Sequence, residues 1–217
     1  IVAAFEAIGY KVTVTTLDAA DYGVPQHRKR VFFFGTKLDH PFAWPQATHG
    51  EGRQRYKTVG DALKGLSARV EDESNNHSFL RHGEVVQARY KLIPEGGRMP
   101  PPSELPEEIR RKNFGNTYKR LDRKKPSLTL VPGNNAFPVH PTEHRSLSPR
   151  EAAKLQTFPN EYLFFGSRAE QCKLVGNAVP VELARQIGLA VLQHMAGTTL
   201  PSETQESTAE PKQFALT

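Results

Sequence analysis

The amino-acid sequence predicts an α/β fold with regular ends and a loop-rich middle. Near the N-terminus, apolar residues at helical spacing precede two strand-like segments. After position 148, helix signatures return, whereas many of the 17 prolines and 16 glycines fall between positions 94 and 141. Helix, strand, loop and strand in that order fit the edge of an α/β sheet. The two ends therefore predict one α/β unit, and the middle predicts a separate small domain.

The N-terminal part predicts one helix and two strands. Ile1–Ile8 has apolar residues at helical spacing, and Gly9 is a typical helix end. Lys11–Leu17 alternates apolar and polar residues, and Val31–Gly35 is an apolar, aromatic run typical of a buried strand. The helix starts without a capping residue and without a methionine, so we expect the chain to be part of a longer sequence.

The rest of the chain predicts a few further elements. Short helices are expected over Val59–Leu66 and Glu84–Ile93, and one strand over Lys125–Val131. Ser148–Glu151 combines a cap residue, a proline at the first helical position and a glutamate at the third, which predicts a helix start. A last, largely apolar helix is predicted to begin near Pro180.

Composition narrows the classes of function. The net charge of +6 and the pI near 9.5 favour a polyanionic partner. The single cysteine, Cys172, excludes an internal disulfide framework and a cysteine-rich zinc site, and no metal site is predicted. The sequence has neither a run of about 18 apolar residues nor a leader peptide. We therefore expect a soluble cytoplasmic protein.

Three segments carry residue types suited to a binding site. The first, Tyr22–Arg30, contains a glycine–proline turn followed by Gln26, Arg28 and Arg30, which share one face if this piece is extended. Two guanidinium groups and an amide suit phosphates or a pyrimidine carbonyl. A solvated basic turn is the alternative interpretation.

The other two segments are individually less specific. Arg145–Pro159 is explained by a well-capped helix alone. In Leu174–Pro180, a Gly-Asn pair followed by small residues allows the backbone to approach a ligand closely, but such a pair also marks many simple turns.

Taken in order, the three segments resemble motifs of the cytosine-5 DNA methyltransferase family over nearly the whole chain. The matching residues are Gln26-x-Arg28-x-Arg30, Arg145–Pro159 and Gly176-Asn177-Ala178-Val179-Pro180. The resemblance implies the C-terminal part of a Rossmann-like methyltransferase domain plus a small, irregular target-recognition domain. It also implies transfer of a methyl group from S-adenosylmethionine to C5 of cytosine in a specific duplex DNA sequence.

The same resemblance implies a division of the chain, because the family places its variable recognition region between the first two motifs. We expect residues 1–38 to end the catalytic α/β domain and residues 39–145 to form the target-recognition domain. Residues 146–196 would hold a bracing helix and a return helix that completes the cofactor pocket, and residues 197–217 a disordered tail.

The resemblance also assigns roles to the motif residues. Arg30 would donate to the O2 atom of a flipped cytosine, Arg28 would hold the adjacent phosphate or the catalytic loop, and Gln26 would brace the turn. A fixed guanidinium at O2 stabilises the negative charge that develops there when a thiolate attacks C6 of the ring. Asn177, Ala178 and Val179 would line the S-adenosylmethionine pocket, while the charged residues of the second motif would be structural.

A strongly basic segment supports recognition of double-stranded DNA. Ile109–Lys125 holds eight lysines or arginines against one acid, with two aromatic residues between them. The expected phosphate contacts are Arg110, Arg111, Lys112, Lys119, Arg120 and Arg123. Residues of a type suited to reading base edges are His77, Arg81, Asn113, Asn116 and Arg120.

Two family features are absent from these 217 residues: a Pro-Cys nucleophile and a glycine-rich cofactor loop. Cys172 follows a glutamine and is expected to be an ordinary thiol. We therefore expect the chain to be inactive alone and to work with an N-terminal methyltransferase half, in cis or as a separate chain. The alternative is a non-catalytic, sequence-specific DNA-binding subunit or remnant.

Overall fold

The computed structural model describes residues 1–112, 114–131 and 137–197, with the Asn116 side chain excepted. This part contains six α-helices, two β-strands and five short 3₁₀ helices, and no helix in it is long and apolar enough to cross a membrane. The α-helices and strands are α1 (Val2–Glu6), β1 (Lys11–Asp18), β2 (Lys29–Thr36), α2 (Val59–Leu63), α3 (Glu84–Lys91), α4 (Pro149–Leu155), α5 (Arg168–Asn177) and α6 (Val181–Ala196).

Strands β1 and β2 form an antiparallel sheet with one covered face. Val14 lies opposite Phe33, and Thr13 lies opposite Phe34, so each pair projects to one face of the sheet. The threonine face is the covered one: Trp44 Nε1 donates to Thr13 Oγ1 at 3.2 Å. Helix α6 also lies on this side, because its residues join the core cluster formed by the end of β1.

The other face of the sheet is open in the described part of the chain. Val14, Val31 and Phe33, the open sheet face, are 45%, 55% and 46% exposed. The strand predicted over Val31–Gly35 is therefore present, but the prediction that it is buried is wrong for this face. Neither outer edge of the sheet pairs with another strand among the described residues.

The largest core cluster joins the loop-rich middle to the closing helices. Val59 of α2 and Leu130 pack with Leu155 of α4 and Val175 of α5, and all four are fully buried. Packing therefore does not separate residues 39–145 from residues 146–196, since both regions contribute to one core.

Arg120 holds the irregular middle together. Its guanidinium is buried and donates to the carbonyl oxygens of Tyr90, Ile93, His140 and Glu143 at 2.6–2.7 Å. A segment with little helix or sheet must satisfy its buried carbonyls in another way. Here one arginine side chain does so, and it is not available to DNA.

Several predicted boundaries need correction. The segment Lys125–Val131 forms no strand. It makes one isolated β-bridge, in which Ser127 pairs with Gln26. The first three helices end earlier than predicted. Helix α5 was missed, although Ser167 and Glu170 form a capping box at its start. Of the predicted tail, residues 198–217 lie outside the described residues.

Candidate functional site

Asp18 organises the turn that carries the first motif. One carboxylate oxygen accepts from the backbone N–H groups of Arg28 at 2.9 Å and Ala20 at 3.3 Å, and the other lies 3.0 Å from His27 Nδ1. Gly23 adopts a left-handed φ of 81° that closes the short helix before the motif. Sequence reasoning missed Asp18, although an aspartate between a strand and a helix is a capping signal.

Arg28 links the three motif regions. Its side chain is buried, and its two terminal nitrogens each donate at 3.0 Å, one to the carbonyl oxygen of Leu130 and the other to that of Gly176. Burial lowers the pKa of Arg28, and the neighbouring charge of Arg30 lowers it further. A guanidinium nevertheless stays protonated at neutral pH, so Arg28 keeps its charge in this buried position.

Gln26 fixes the same junction from the turn. It is fully buried, and its Oε1 accepts from the Leu130 N–H at 3.1 Å. Beside it, the N–H of Ser127 donates to the Pro25 carbonyl, and the N–H of His27 donates to the Ser127 carbonyl, each at 2.9 Å. Gln26 Nε2 is buried without a hydrogen-bond partner among the described residues. These contacts join the turn at Gln26 to the segment Ser127–Leu130.

Arg30 differs from its two motif neighbours because it is exposed. Its one hydrogen bond within the described chain goes to the Lys29 carbonyl at 2.8 Å. Arg28, by contrast, uses its terminal nitrogens inside the protein. That Arg28 holds the adjacent phosphate or the catalytic loop stays a prediction, and its described contacts are those with the carbonyl oxygens of Leu130 and Gly176.

The final motif forms the turn between α5 and α6. Gly176 and Asn177 end α5 rather than opening the last helix, and Ala178 is the C-terminal cap. The Asn177 side chain is exposed and makes no hydrogen bond among the described residues, and Val179 is 48% exposed. The turn therefore presents one free amide and one apolar side chain, while the Gly176 carbonyl is held by Arg28.

The end of α4 fixes this turn from the opposite side. Gln156 is fully buried, its side chain donates to the Val175 carbonyl, and its own carbonyl accepts from the Val181 N–H at 3.0 Å. Thr157 has a φ of 60°, and its Oγ1 accepts from the Glu182 N–H at 3.0 Å. Because α6 has no side-chain cap of its own, Thr157 supplies one from another segment.

The charged residues of the second motif are structural, as the sequence predicted. Arg145 bonds Glu151 through both terminal nitrogens, at 2.7 and 2.8 Å, and the pair is buried. Glu151 and Ser148 form the expected capping box. Arg150 is fully buried, and its guanidinium donates to three backbone carbonyls.

The six predicted DNA contacts occupy different environments. Arg120 is buried, as described above, and is removed from the set. Arg110 donates to the Leu105 carbonyl at 2.9 Å, and Arg123 bonds Glu95 with two nitrogens at 2.9 Å each. The side chains that have no such partner within the described chain are those of Arg111, Lys112 and Lys119.

Two of the predicted base-reading residues have side chains that are engaged within the protein. His77 is buried between Ser148 Oγ at 2.8 Å and the Ser67 carbonyl at 2.7 Å, so it cannot reach a base edge. Arg81 is exposed but paired with Glu71. Asn113 and the side chain of Asn116 lie outside the described residues.

The structure also locates the single cysteine. Cys172 is buried in the main core, and burial raises the pKa of its thiol, which disfavours the reactive thiolate. Among the described residues, no group of three or more histidine, cysteine, aspartate or glutamate side chains is arranged to hold a metal ion.

Comparison with known proteins identifies the family. The profile of the family "C-5 cytosine-specific DNA methylase" matches residues 1–193. The chain belongs to this family. It is 36% identical over 193 residues to Type II methyltransferase M1.HphI of Haemophilus parahaemolyticus and 34% identical over 200 residues to M.NgoFVII of Neisseria gonorrhoeae. These matches cover 87% and 86% of this chain but 50% and 52% of the relatives, so the chain spans about half their length.

Solved structures show the same fold at low identity. A DNA modification methyltransferase encoded within an E. coli prophage has a TM-score of 0.67 at 22% identity, over 89% of this chain and 64% of that one. The S. pombe Dnmt2 methyltransferase has a TM-score of 0.55 at 14% identity, over 90% and 61% of the two chains. The α/β, Rossmann-like methyltransferase fold predicted from the sequence is confirmed at this level.

His140 is expected to make the stability of the folded protein depend on pH. Its Nδ1 accepts from the backbone N–H groups of Thr142 and Glu143, at 3.2 and 3.1 Å, and burial lowers its pKa to about 4. The unfolded chain binds the same proton with a pKa of about 6.5. As the pH falls from about 6.5 to about 4, the unfolded state is therefore protonated first, and the folded state should lose on the order of 3 kcal/mol at most.

This loss is measured by urea unfolding at a series of pH values. The His140→Gln variant, which keeps an acceptor but cannot titrate, should show a shallower fall over that range. Equal slopes for the two proteins would show that His140 is not the titrating group.

Proposed function

We propose that this chain supplies target recognition and part of the active-site wall of a DNA (cytosine-5) methyltransferase acting on a specific duplex sequence. The observation that carries the proposal is the position of Arg28. It joins the turn bearing Gln26 and Arg30 to the Leu130 region and to the Gly176 carbonyl. Three segments far apart in the sequence thus form one wall, as a shared catalytic site requires.

Arg30 is proposed to be the catalytic arginine of this wall. Its guanidinium is exposed next to the rigid Arg28 junction, so its remaining donors are free for a substrate. A planar, permanently charged donor suits the O2 atom of a flipped cytosine and stabilises negative charge on that oxygen. Gln26 and Arg28 would act through Arg30 by fixing the backbone that carries it.

The turn between α5 and α6 is proposed to form one wall of the S-adenosylmethionine site. A free amide at Asn177 and a half-exposed apolar side chain at Val179 fit a ligand with both polar and apolar parts, with Ala178 leaving room between them. When bound, S-adenosylmethionine would supply the methyl group. Arg28 and Thr157 keep the turn in place from its two sides.

Residues 39–145 are proposed to contain the target-recognition region, although they share a core with the closing helices. Of the predicted phosphate contacts in this region, the three without internal partners, Arg111, Lys112 and Lys119, would contact the phosphates of double-stranded DNA. Since the relatives named above are bacterial, we place the enzyme in the bacterial cytoplasm with its DNA substrate.

The remaining part of the α/β domain is proposed to cover the open sheet face. A two-stranded sheet with an exposed apolar face is marginal by itself. A second apolar stripe runs along α6, where Leu189, Leu192 and Met195 are 37%, 63% and 70% exposed. A partner segment, in cis or as a separate chain, would bury these surfaces and bring the Pro-Cys nucleophile and the glycine-rich loop.

The experiment that tests the proposal is complementation. The 217-residue chain alone should transfer no methyl group from radiolabelled S-adenosylmethionine to DNA, because its one thiol is buried in the core. Addition of an N-terminal methyltransferase segment with a Pro-Cys motif and a glycine-rich loop should restore transfer. The same segment with its motif cysteine replaced by serine is the control. Failure to restore transfer, with duplex binding retained, would instead favour a non-catalytic DNA-binding protein.

The role of Arg30 is tested in the complemented enzyme. The Arg30→Ala variant should lower kcat by roughly 10²–10³-fold, the typical loss when one oxyanion donor is removed, and leave duplex affinity nearly unchanged. Lys29→Ala removes the neighbouring exposed charge and should affect neither quantity strongly. Equal losses of turnover and affinity in Arg30→Ala would indicate a simple phosphate contact.

A further inference from the structure

A groove of about 350 Å³ in the loop-rich middle combines unpaired cations with aromatic rings. Arg98, Lys112 and Lys119 line it, and none of the three makes a hydrogen bond or an ion pair with its side chain among the described residues. No acidic residue lines the groove. We call it the basic groove. No acidic side chain in its lining neutralises its positive charge.

Backbone pairing and packed aromatic rings form the floor of the basic groove. Segments around Arg98 and Lys119 run antiparallel and form a bridge, and the Met99 N–H donates to the Tyr118 carbonyl at 3.3 Å. Tyr118 is buried, and its ring meets Phe114 edge to face at 4.9 Å. The backbone that carries Arg98 and Lys119 is therefore in place before a ligand binds, so its ordering adds little to the entropy cost of binding.

A second cleft of similar size shows what makes the basic groove different. That cleft, of about 300 Å³, is also lined by arginines, but Arg69 bonds Glu143 and Arg81 bonds Glu71. Its positive charge is neutralised inside the protein. An anionic ligand would have to break these pairs to bind there, whereas in the basic groove it meets free cations.

We propose that the basic groove receives the sugar–phosphate backbone of duplex DNA. Arg98, Lys112 and Lys119 would contact phosphates, and the half-buried ring of Phe114 would pack against deoxyribose. This inference rests on the proposed function and deepens it, because it selects two residues from the predicted basic segment and adds Arg98 from a different segment. The groove positions the duplex, and its contacts carry no base-sequence information.

The test measures duplex affinity of the complemented enzyme against salt concentration, with a fluorescein-labelled duplex DNA as the probe. Each of the variants Arg98→Ala, Lys112→Ala and Lys119→Ala should reduce the slope of log K against log salt by about 1. Affinity for a target duplex and for an unrelated duplex should fall by the same factor, while kcat at saturating DNA is retained. The matched control is Lys64→Ala, which removes one exposed charge outside the groove.

Circular dichroism checks that each variant is folded, and Arg98→Gln repeats the test with a side chain that keeps most of the arginine's length. Unchanged slopes and affinities in variants that still methylate DNA would overturn the proposal that the groove binds the DNA backbone. The proposed function would not be affected by that result. A loss confined to the target duplex would overturn the backbone assignment, because it would indicate base reading. A complemented wild-type enzyme that neither binds nor methylates duplex DNA would refute the proposed function itself.

Discussion

The buried guanidinium of Arg28 is the interaction on which the rest of the site depends. No carboxylate within the described chain forms a salt bridge with it; its charge is met by the carbonyl dipoles of Leu130 and Gly176. Removal of such a group would leave two buried carbonyls unsatisfied, at a cost of about 1–3 kcal/mol each. The bridge thus ties the Leu130 region and the final motif to the turn that carries Arg30.

The opposite side of the site depends on helix ends. The C-terminal end of α4 supplies the Gln156 carbonyl and the Thr157 hydroxyl to the first two N–H groups of α6. The left-handed φ of Thr157 is an unusual conformation for a β-branched residue, and it is retained where the surrounding structure determines it. Helix α4 itself is fixed by the buried pair of Arg145 and Glu151. The turn at Asn177 is therefore held from two directions.

Local signals in the sequence predicted some of this architecture well. The capping box at Ser148 and the strand alternation beginning at Lys11 depend on neighbouring residues, so they are visible in a single sequence. The order of the three motifs indicated the family. Long-range pairing is not encoded locally: nothing near Arg28 shows that its partners lie 102 and 148 residues away.

The same limit explains the errors. Arg120 and His77 have residue types suited to DNA contacts, but distant carbonyls and a serine hydroxyl hold them in the interior. Arg98 lies outside the obvious basic run, and only the fold brings it beside Lys119. The burial predicted for β2 was wrong for the face that carries Val31 and Phe33. The sequence pattern shows which side chains are apolar, but it does not show which segments cover them.

The central claim is tested most directly by amide hydrogen exchange in the Arg28→Lys variant. The planar guanidinium of Arg28 donates to two carbonyl groups that lie in different directions. The compact ammonium group of a lysine cannot reproduce both hydrogen bonds. Protection should therefore fall together in the segments 127–131 and 174–179, while α3 keeps its protection. The matched substitution two residues further along the chain, Arg30→Lys, should leave the protection of both segments unchanged. Unaltered protection in Arg28→Lys, or a uniform loss over the whole chain, would contradict the account.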